Sequence, residues 1–341
     1  MNNNPTDRSK ILLKRLNYRV NHKIHKEGGD AMISIMKTTH VGLEKMQEVT
    51  SGCWINVVEP DAHEIKTLTD LGIPRDFITY PLDMDERSRA EREDEGNLLI
   101  VLRVPYFQGT NADVPYITLP LGIIVKDDYI ITVCRIQHEI IQRFADGIER
   151  NFATQKRNRF LLQIMLKSAS TYLADVRKID KTVETLEDQL EKSMQNKGVL
   201  ELLKYKKSLV YFTTALVANE SMLERLNRSQ DLTMYAEDED LLEDVMTEYQ
   251  QAIQMTNISH DILTSMMGAF GSIISNNLNA VMKFLASVTI VLSIPTLISS
   301  YFGMNVPLPF EHSPYGHLII LFGSVLISIF IVAFFTKRDW F

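Results

Sequence analysis

Small and polar side chains recur at steps of three and four along the last long helical segment of the chain. We call this series the polar stripe, and its members are Asp261, Ser265, Gly268, Ser272, Ser275, Asn279, Met282, Ala286, Thr289, Ser293, Thr296 and Ser300. Such steps place residues on one face of an α-helix. From Asn279 onward the stripe is small or polar, whereas its neighbours are apolar: Leu285, Val288, Ile290, Val291, Leu292, Ile294, Leu297 and Ile298. Hydroxyl and amide oxygens along such a face could accept hydrogen bonds from water molecules or from the water shell of a hydrated ion.

The residues of the polar stripe fit two different structures. Small residues in membrane helices allow two helices to pack closely, and the Ala and Ser positions suit such a crossing. Alternatively, a ring of parallel copies with this face inward would line a narrow wet path. The pattern alone leaves both interpretations open.

Two uncharged apolar runs occupy the last fifth of the chain, at 284–301 and 318–335. Each is about long enough to cross a hydrocarbon core of roughly 30 Å as a helix. The connection 302–317 contains no Lys or Arg, whereas Lys283 precedes the first run and Lys337 and Arg338 follow the second. Basic residues favour the cytoplasmic side. We therefore predict a membrane hairpin of two helices with both termini in the cytoplasm.

The first part of the chain shows alternating signals for strands and helices. Segments 53–58 and 98–104 are apolar and β-branched, which is typical of strands, and Asp61 is placed to cap a helix over 62–71. Segments 116–125 and 129–133 predict a hairpin. This region is predicted to be an α/β domain with a mixed sheet.

The chain becomes helical after about Glu139, and no Pro interrupts the last helix from Leu241 until Pro295. A continuous helix over 240–302 would be roughly 90 Å long at about 1.5 Å per residue. A small domain cannot bury such a helix, so we expect a stalk that packs against copies of itself or against neighbouring helices.

Several function classes are not supported by the sequence. A net charge of −7 argues against a nucleic-acid partner. The chain has no GxxxxGK[ST], HExxH or GxSxG motif, so we predict that it is not an enzyme. Its two cysteines, Cys53 and Cys134, have no metal-binding spacing and are interpreted as buried small hydrophobic residues.

Residues 301–305, Tyr-Phe-Gly-Met-Asn, end the first of two C-terminal apolar runs. In that position they resemble the signature of the CorA family of magnesium channels and transporters, and the resemblance covers the whole chain. It implies a funnel-shaped homopentamer that transports Mg²⁺, with Co²⁺ or Ni²⁺ as further possible ions. Carried over residue by residue, it implies a selectivity filter at Gly303, Met304 and Asn305 and a pore lined by Asn279, Met282, Leu285, Ala286, Thr289, Ser293, Thr296 and Ser300.

The resemblance also implies details of the pore. Many relatives have Met where Ser293 stands, so the middle of this pore should be wetter and its gate should rest on Met282 and Leu285. Gly303 would let the backbone turn at the outer mouth, where Asn305 would meet the hydrated ion. Glu311 in the outer loop could add a ring that attracts cations.

Regulation by divalent ions at subunit interfaces follows from the same resemblance. Asp244 stands where relatives place an acidic residue on the stalk helix, and its partner would be Asp83 or Asp85. Asp261 on the polar stripe could form a further acidic ring. Each of these acids could equally be a solvated surface residue.

The complete prediction is an α+β cytoplasmic domain, a long stalk helix and a two-helix transmembrane hairpin in the inner or plasma membrane, in contact with lipid. Its segments are a basic N-terminus at 1–30, an α/β domain at 31–145, a helical region at 146–240, a stalk helix at 241–302 with its membrane part at about 282–302, an outer loop at 303–317, a second span at 318–336 and a basic C-terminus at 337–341. Two alternatives remain: a transporter of Co²⁺, Ni²⁺ or Zn²⁺ with the same fold, and a membrane-anchored scaffold that transports nothing.

Overall fold

The structure is a computed structural model that describes residues 33–94, 96–126, 129–149, 152–193, 196–229, 236–304 and 314–338. The predicted basic segment 1–30 and the last three residues of the chain lie outside this range. The chain divides into two compact units, Met1–Thr264 and Ser265–Phe341, and each is described by itself.

A mixed β-sheet forms the centre of the first unit. Its strands are β1 (Ile33–Thr38), β2 (Leu43–Met46), β3 (Trp54–Val58), β4 (Arg89–Arg92), β5 (Leu98–Phe107), β6 (Tyr116–Val125) and β7 (Ile130–Cys134). They lie in the order β2-β1-β3-β7-β6-β5-β4. Strands β3 and β7 are parallel, and the other neighbours are antiparallel. The predicted mixed sheet and the β6–β7 hairpin are confirmed.

Helices account for most of the remaining described residues. They are α1 (Ala62–Asp70), α2 (Arg75–Thr79), α3 (Glu139–Ala145), α4 (Arg157–Ser193), α5 (Asn196–Ser229), α6 (Ala236–Phe302) and α7 (Gly316–Lys337), with a 3-10 turn at Tyr80–Leu82. Asp61 caps α1 as predicted: its side chain accepts from the Glu64 N–H at 2.8 Å, and the Glu64 carboxylate accepts from the Asp61 N–H. This reciprocal pair satisfies amide groups that the first turn cannot pair internally.

The sheet separates two apolar layers in the first unit. Ile55 and Val57 belong to a buried cluster that includes Leu68 of α1 and Phe77 of α2. On β3 the alternate residue, Trp54, packs edge-on against Phe160 of α4, with ring centroids 5.1 Å apart. Successive strand residues point to opposite faces, so both faces of this sheet are covered. Cys53 and Cys134 are both buried and free, as predicted.

A buried imidazole begins α3. The Nδ1 atom of His138 accepts from the Ile140 N–H at 3.2 Å, and Nε2 lies 2.8 Å from the Pro105 carbonyl oxygen. An acceptor at Nδ1 requires the proton to sit on Nε2, so the ring is neutral. Burial lowers the pKa of His138, against the smaller opposing effects of Pro105 and Glu139. This cap could not be predicted from the sequence, because His is not among the residues preferred at such positions.

Helix α6 is continuous over its 67 residues, which confirms the uninterrupted helix expected from the lack of Pro. Pro295 lies inside it. In the first unit, α6 buries Val245, Tyr249 and Ala252. Both α6 and α7 contain stretches long and apolar enough to cross a membrane.

Candidate functional site

The polar stripe is exposed on α6 in the second unit. Met282 and Leu285 are each 57% exposed, like the neighbouring apolar residues Leu278 and Val281 of the same helix. The other candidate pore residues in the described range are exposed as well: Asn279, Ala286, Thr289, Ser293, Thr296 and Ser300. This face of a single chain is therefore available to lipid, to water or to other copies.

The opposite side of α6 is the one that packs inside the unit. Ser287 is completely buried, and Val291, Ile294 and Ile298 on the same side are half-buried. At about 100° per residue, this side is turned roughly 140° from the centre of the stripe. On α7, burial falls on Gly316, Ser324 and Phe335. The buried residues of α6 therefore lie away from the stripe, and small residues such as Ser287 and Ser324 are among the buried positions of the two helices.

The hydroxyl groups of the stripe share one hydrogen-bonding arrangement. Thr289 Oγ1 donates to the Leu285 carbonyl at 2.8 Å, and Ser293 Oγ donates to the Thr289 carbonyl at 2.7 Å. Thr296 Oγ1 donates to the Leu292 carbonyl at 3.1 Å. Each hydroxyl donates its single proton to a carbonyl of its own helix, so its oxygen can still accept a further hydrogen bond. In the uncharged run 284–301, the stripe is thus a row of hydrogen-bond acceptors.

Backbone hydrogen bonds terminate α6 at its C-terminal end. The Gly303 N–H donates to the Ser299 carbonyl at 3.0 Å, and the Met304 N–H donates to the Tyr301 carbonyl at 3.3 Å. A Cβ at Gly303 would lie 3.3 Å from the Ser299 oxygen, which is a tight contact. Gly303 does not have the left-handed backbone that would require glycine at a turn. Asn305 and Glu311 lie outside the described residues.

The candidate regulatory acids are exposed on the first unit. Asp83 and Asp85 lie in the loop before β4, where the Asp85 N–H donates to Asp83 Oδ1 at 3.0 Å. Asp244 is exposed on α6, next to the buried Val245. Asp261 is also exposed, and its Oδ1 lies 3.6 Å from His260 Nδ1. Within the described part of one chain, no group of three His, Cys, Asp or Glu side chains could hold a metal ion.

Comparison with known proteins decides the family. A sequence model of the family described as CorA-like Mg²⁺ transporter protein matches residues 50–338. The chain belongs to this family. The cobalt/magnesium transport protein CorA of Methanocaldococcus jannaschii is 28% identical over 319 residues, which are 91% of this chain and 99% of that protein. The protein of the same description from Thermotoga maritima is 24% identical over 197 residues, which are 56% of this chain and 55% of that protein.

A solved structure of a relative agrees with the fold of this CorA-like chain. The complete structure of the CorA magnesium transporter from Methanocaldococcus jannaschii matches with a TM-score of 0.79 and 26% identity, covering 92% of this chain and all of that one. The predicted combination of an α/β domain, a long helix and two apolar C-terminal helices is confirmed. CorA-like proteins are transporters, so the prediction that the chain is not an enzyme is also confirmed.

Two features of the CorA-like chain escaped prediction from the sequence. The first is the buried face around Ser287 and Ser324, although Gly316, Ser324 and Ser328 at steps that are multiples of four could have indicated it. The second is Arg103, a charged residue in the apolar strand β5, where its side chain makes four hydrogen bonds. An isolated arginine in an apolar run was the available signal.

Proposed function

We propose that this CorA-type Mg²⁺/Co²⁺ transport protein is a passive, gated channel that imports hydrated Mg²⁺ through a homopentameric pore. The pore would be formed by the polar stripes of five α6 helices. The observation that supports it best is the position of the stripe, which is exposed, uncharged from Asn279 onward and opposite the face of α6 that packs internally. A stripe meant for the α6–α7 contact would be buried in the single chain.

The chemistry of the stripe suits a hydrated divalent cation. The water molecules around Mg²⁺ direct their hydrogens outward and need acceptors, which the hydroxyls of Thr289, Ser293 and Thr296 can supply. Carboxylates would bind the ion more strongly, but run 284–301 contains none. Conduction requires binding that is weak enough to release the ion, and neutral acceptors meet that condition.

Gating and driving force follow from the same residues. Rings of Met282 and Leu285 would form a narrow apolar constriction, and such constrictions close a pore by excluding water. The membrane potential can drive import, since a divalent ion gains about 4.6 kcal/mol at 100 mV from about 2.3 kcal/mol per charge. No nucleotide-binding motif occurs in the sequence that would couple transport to hydrolysis.

The outer mouth would be formed by Gly303, Met304 and Asn305, as the family resemblance implies. One Asn305 amide per subunit would present a ring of carbonyl acceptors to the entering ion. A ring of Glu311 would raise the local concentration of cations. Both termini would then be cytoplasmic, and the apolar sides of α6 and α7 would contact lipid.

Regulation would take place between the cytoplasmic parts of neighbouring subunits. A divalent cation between Asp244 of one subunit and Asp83 or Asp85 of the next would relieve the repulsion of the carboxylates and hold the ring closed. Asp261 could form a second ring on the axis. The exposure of all four carboxylates in the single chain is consistent with this role.

The nature of the ion is the main alternative. Two relatives are described as cobalt/magnesium transport proteins, which favours Co²⁺ as a second transported ion. A transporter of Ni²⁺ or Zn²⁺ with the same fold is a further alternative. A membrane-anchored scaffold that transports nothing is the other alternative.

Ion flux into liposomes that contain the purified full chain tests the proposal. We expect an inside-negative potential to drive Mg²⁺ entry, and Asn305→Ala to reduce it sharply without preventing assembly. Parallel flux assays with Co²⁺, Ni²⁺ and Zn²⁺ show which ion is transported fastest. The absence of flux with every ion would support the scaffold, and normal flux in assembled Asn305→Ala would refute the role of the filter.

A further inference from the structure

Loop 83–88, which we call the acidic loop, joins the 3-10 turn at Tyr80–Leu82 to strand β4. It contains both candidate partners of Asp244. Two internal hydrogen bonds fold it into a tight turn: the Asp85 N–H donates to Asp83 Oδ1 at 3.0 Å, and the Glu86 N–H donates to the Asp83 carbonyl at 3.1 Å. These local bonds do not attach the loop to the rest of the domain.

The side chain of Arg103, which is half-buried in the middle of β5, makes the main attachment. Glu86 of the loop also forms an ion pair with Arg89 of β4, with Oε1 3.1 Å from Nε. Arg103 Nη1 donates to the carbonyls of Met84 at 3.1 Å and Glu86 at 2.6 Å, on either side of Asp85. Its Nε donates to Thr118 Oγ1 at 2.8 Å, and Nη2 donates to the Thr118 carbonyl at 2.6 Å. One planar guanidinium thus bridges the acidic loop and strand β6.

Arg103 also acts on Asp85 electrostatically. Burial lowers the pKa of Arg103, and Tyr172 and Asp85 oppose that shift. The guanidinium therefore lies within the field of the Asp85 carboxylate. The positive charge of Arg103 attracts the Asp85 carboxylate, and this attraction favours the folded shape of the acidic loop.

Asn219 of α5 holds the backbone of Arg103 in place. Pairing between β4 and β5 ends at Arg89 opposite Val101, so the backbone of Arg103 has no strand partner on that side. The buried amide of Asn219 takes the place of that partner: Nδ2 donates to the Arg103 carbonyl at 2.8 Å, and Oδ1 accepts from the Arg103 N–H at 3.1 Å. The same Oδ1 accepts from Ser88 Oγ at 2.6 Å.

We propose that Arg103 is a positioning residue for cation sensing, because its side chain, supported by Asn219, holds the acidic loop in the shape that presents Asp83 and Asp85. This inference rests on the proposed regulatory role of those carboxylates. A cation site works only when its oxygen ligands are held in place. If the loop is released, only a fraction of the molecules keeps the binding shape, and the apparent affinity falls by that fraction.

The test is a Mg²⁺ titration of protease resistance with the purified full chain in detergent. Arg103→Lys keeps the charge but loses the planar fork that reaches two carbonyls. If one loop in ten keeps its shape, the midpoint Mg²⁺ concentration rises about tenfold. Ser88→Ala removes a single tether and should raise the midpoint by a smaller factor of about three. Asp244→Lys should abolish the response, and the exposed Arg135→Lys should leave the midpoint unchanged.

The outcomes separate positioning from general stabilisation. A merely structural Arg103 would lower resistance equally with and without Mg²⁺ and leave the midpoint where it was. Wild-type midpoints in both Arg103→Lys and Ser88→Ala would overturn the proposal while the regulatory role stands. A wild-type chain that does not respond to Mg²⁺ would overturn the regulatory role together with this inference. Liposome flux of the same preparation reports separately on transport.

Discussion

Replacing Thr289 by Val should slow Mg²⁺ flux while leaving the fold intact. Val has the shape of Thr and the same branching at Cβ, so the helix keeps its packing. The change removes the hydroxyl that donates to the Leu285 carbonyl at 2.8 Å and whose lone pairs are open toward the exposed face of α6. In the proposed pore, the variant therefore loses one acceptor ring of the path taken by the hydrated ion.

The size of the effect follows from the number of hydrogen bonds lost. A neutral hydrogen bond has a net value of about 0.5–1.5 kcal/mol. If two hydroxyls of the ring accept from the water shell at one time, the barrier rises by about 1–3 kcal/mol. Flux then falls by about 5- to 150-fold. Ser293→Ala should behave similarly, because Ser293 has the same arrangement.

The assay is initial Mg²⁺ entry into liposomes under a fixed inside-negative potential, normalised to the amount of assembled protein. Thr214→Val is the matched control, since the Thr214 hydroxyl makes the same bond to the Val210 carbonyl at 2.8 Å on the exposed side of α5. We expect wild-type flux from this control. Wild-type flux from Thr289→Val as well would refute the claim that the stripe hydroxyls meet the ion.

Three further perturbations test the fold and the gate. Because burial lowers the pKa of His138, the folded chain binds that proton less tightly than the unfolded chain, so stability is full above about pH 6.5 and falls as the pH drops below it. The thermal midpoint of His138→Asn should depend less on pH between about 5 and 7, whereas exposed His40→Asn should follow the wild type. Ser324→Leu places a large side chain at a buried position of α7 and should lower the free energy of unfolding by about 1–3 kcal/mol, measured by thermal unfolding. Gly323→Leu is the control, because an added Cβ there meets no atom within 4 Å. Met282→Ser should raise Mg²⁺ leak at high cytoplasmic Mg²⁺, and an unchanged leak would move the gate elsewhere.

Local sequence signals predicted much of the fold. Asp61 followed three residues later by Glu64 is sufficient to mark the start of α1, because both partners of the cap lie within one helical turn. The apolar run at 98–104 marked β5, although pairing with β6 extends this strand to Phe107. The continuity of α6 followed from the absence of Pro before Pro295.

Contacts between distant parts of the chain could not be predicted in this way. Asn219 and Arg103 are 116 residues apart, and neither residue type at its position indicates the other. The polar stripe shows the same limit. Its periodicity suited both a helix crossing and a pore, and only the burial of Ser287 on the opposite side of α6 shows which face packs inside the unit. The roles of Asn305 and Glu311 stay predictions from the family resemblance.

The central claim is that the polar stripe faces the ion path, and a cysteine at Ser293 tests it most directly. Native Cys53 and Cys134 are buried, so a positively charged methanethiosulfonate reagent should label the introduced thiol first. Ile329→Cys on the exposed side of α7 is the control for labelling away from the path. The account predicts that labelling Ser293→Cys blocks Mg²⁺ entry into liposomes and that labelling Ile329→Cys does not. Full labelling of Ser293→Cys with undiminished Mg²⁺ entry would contradict it.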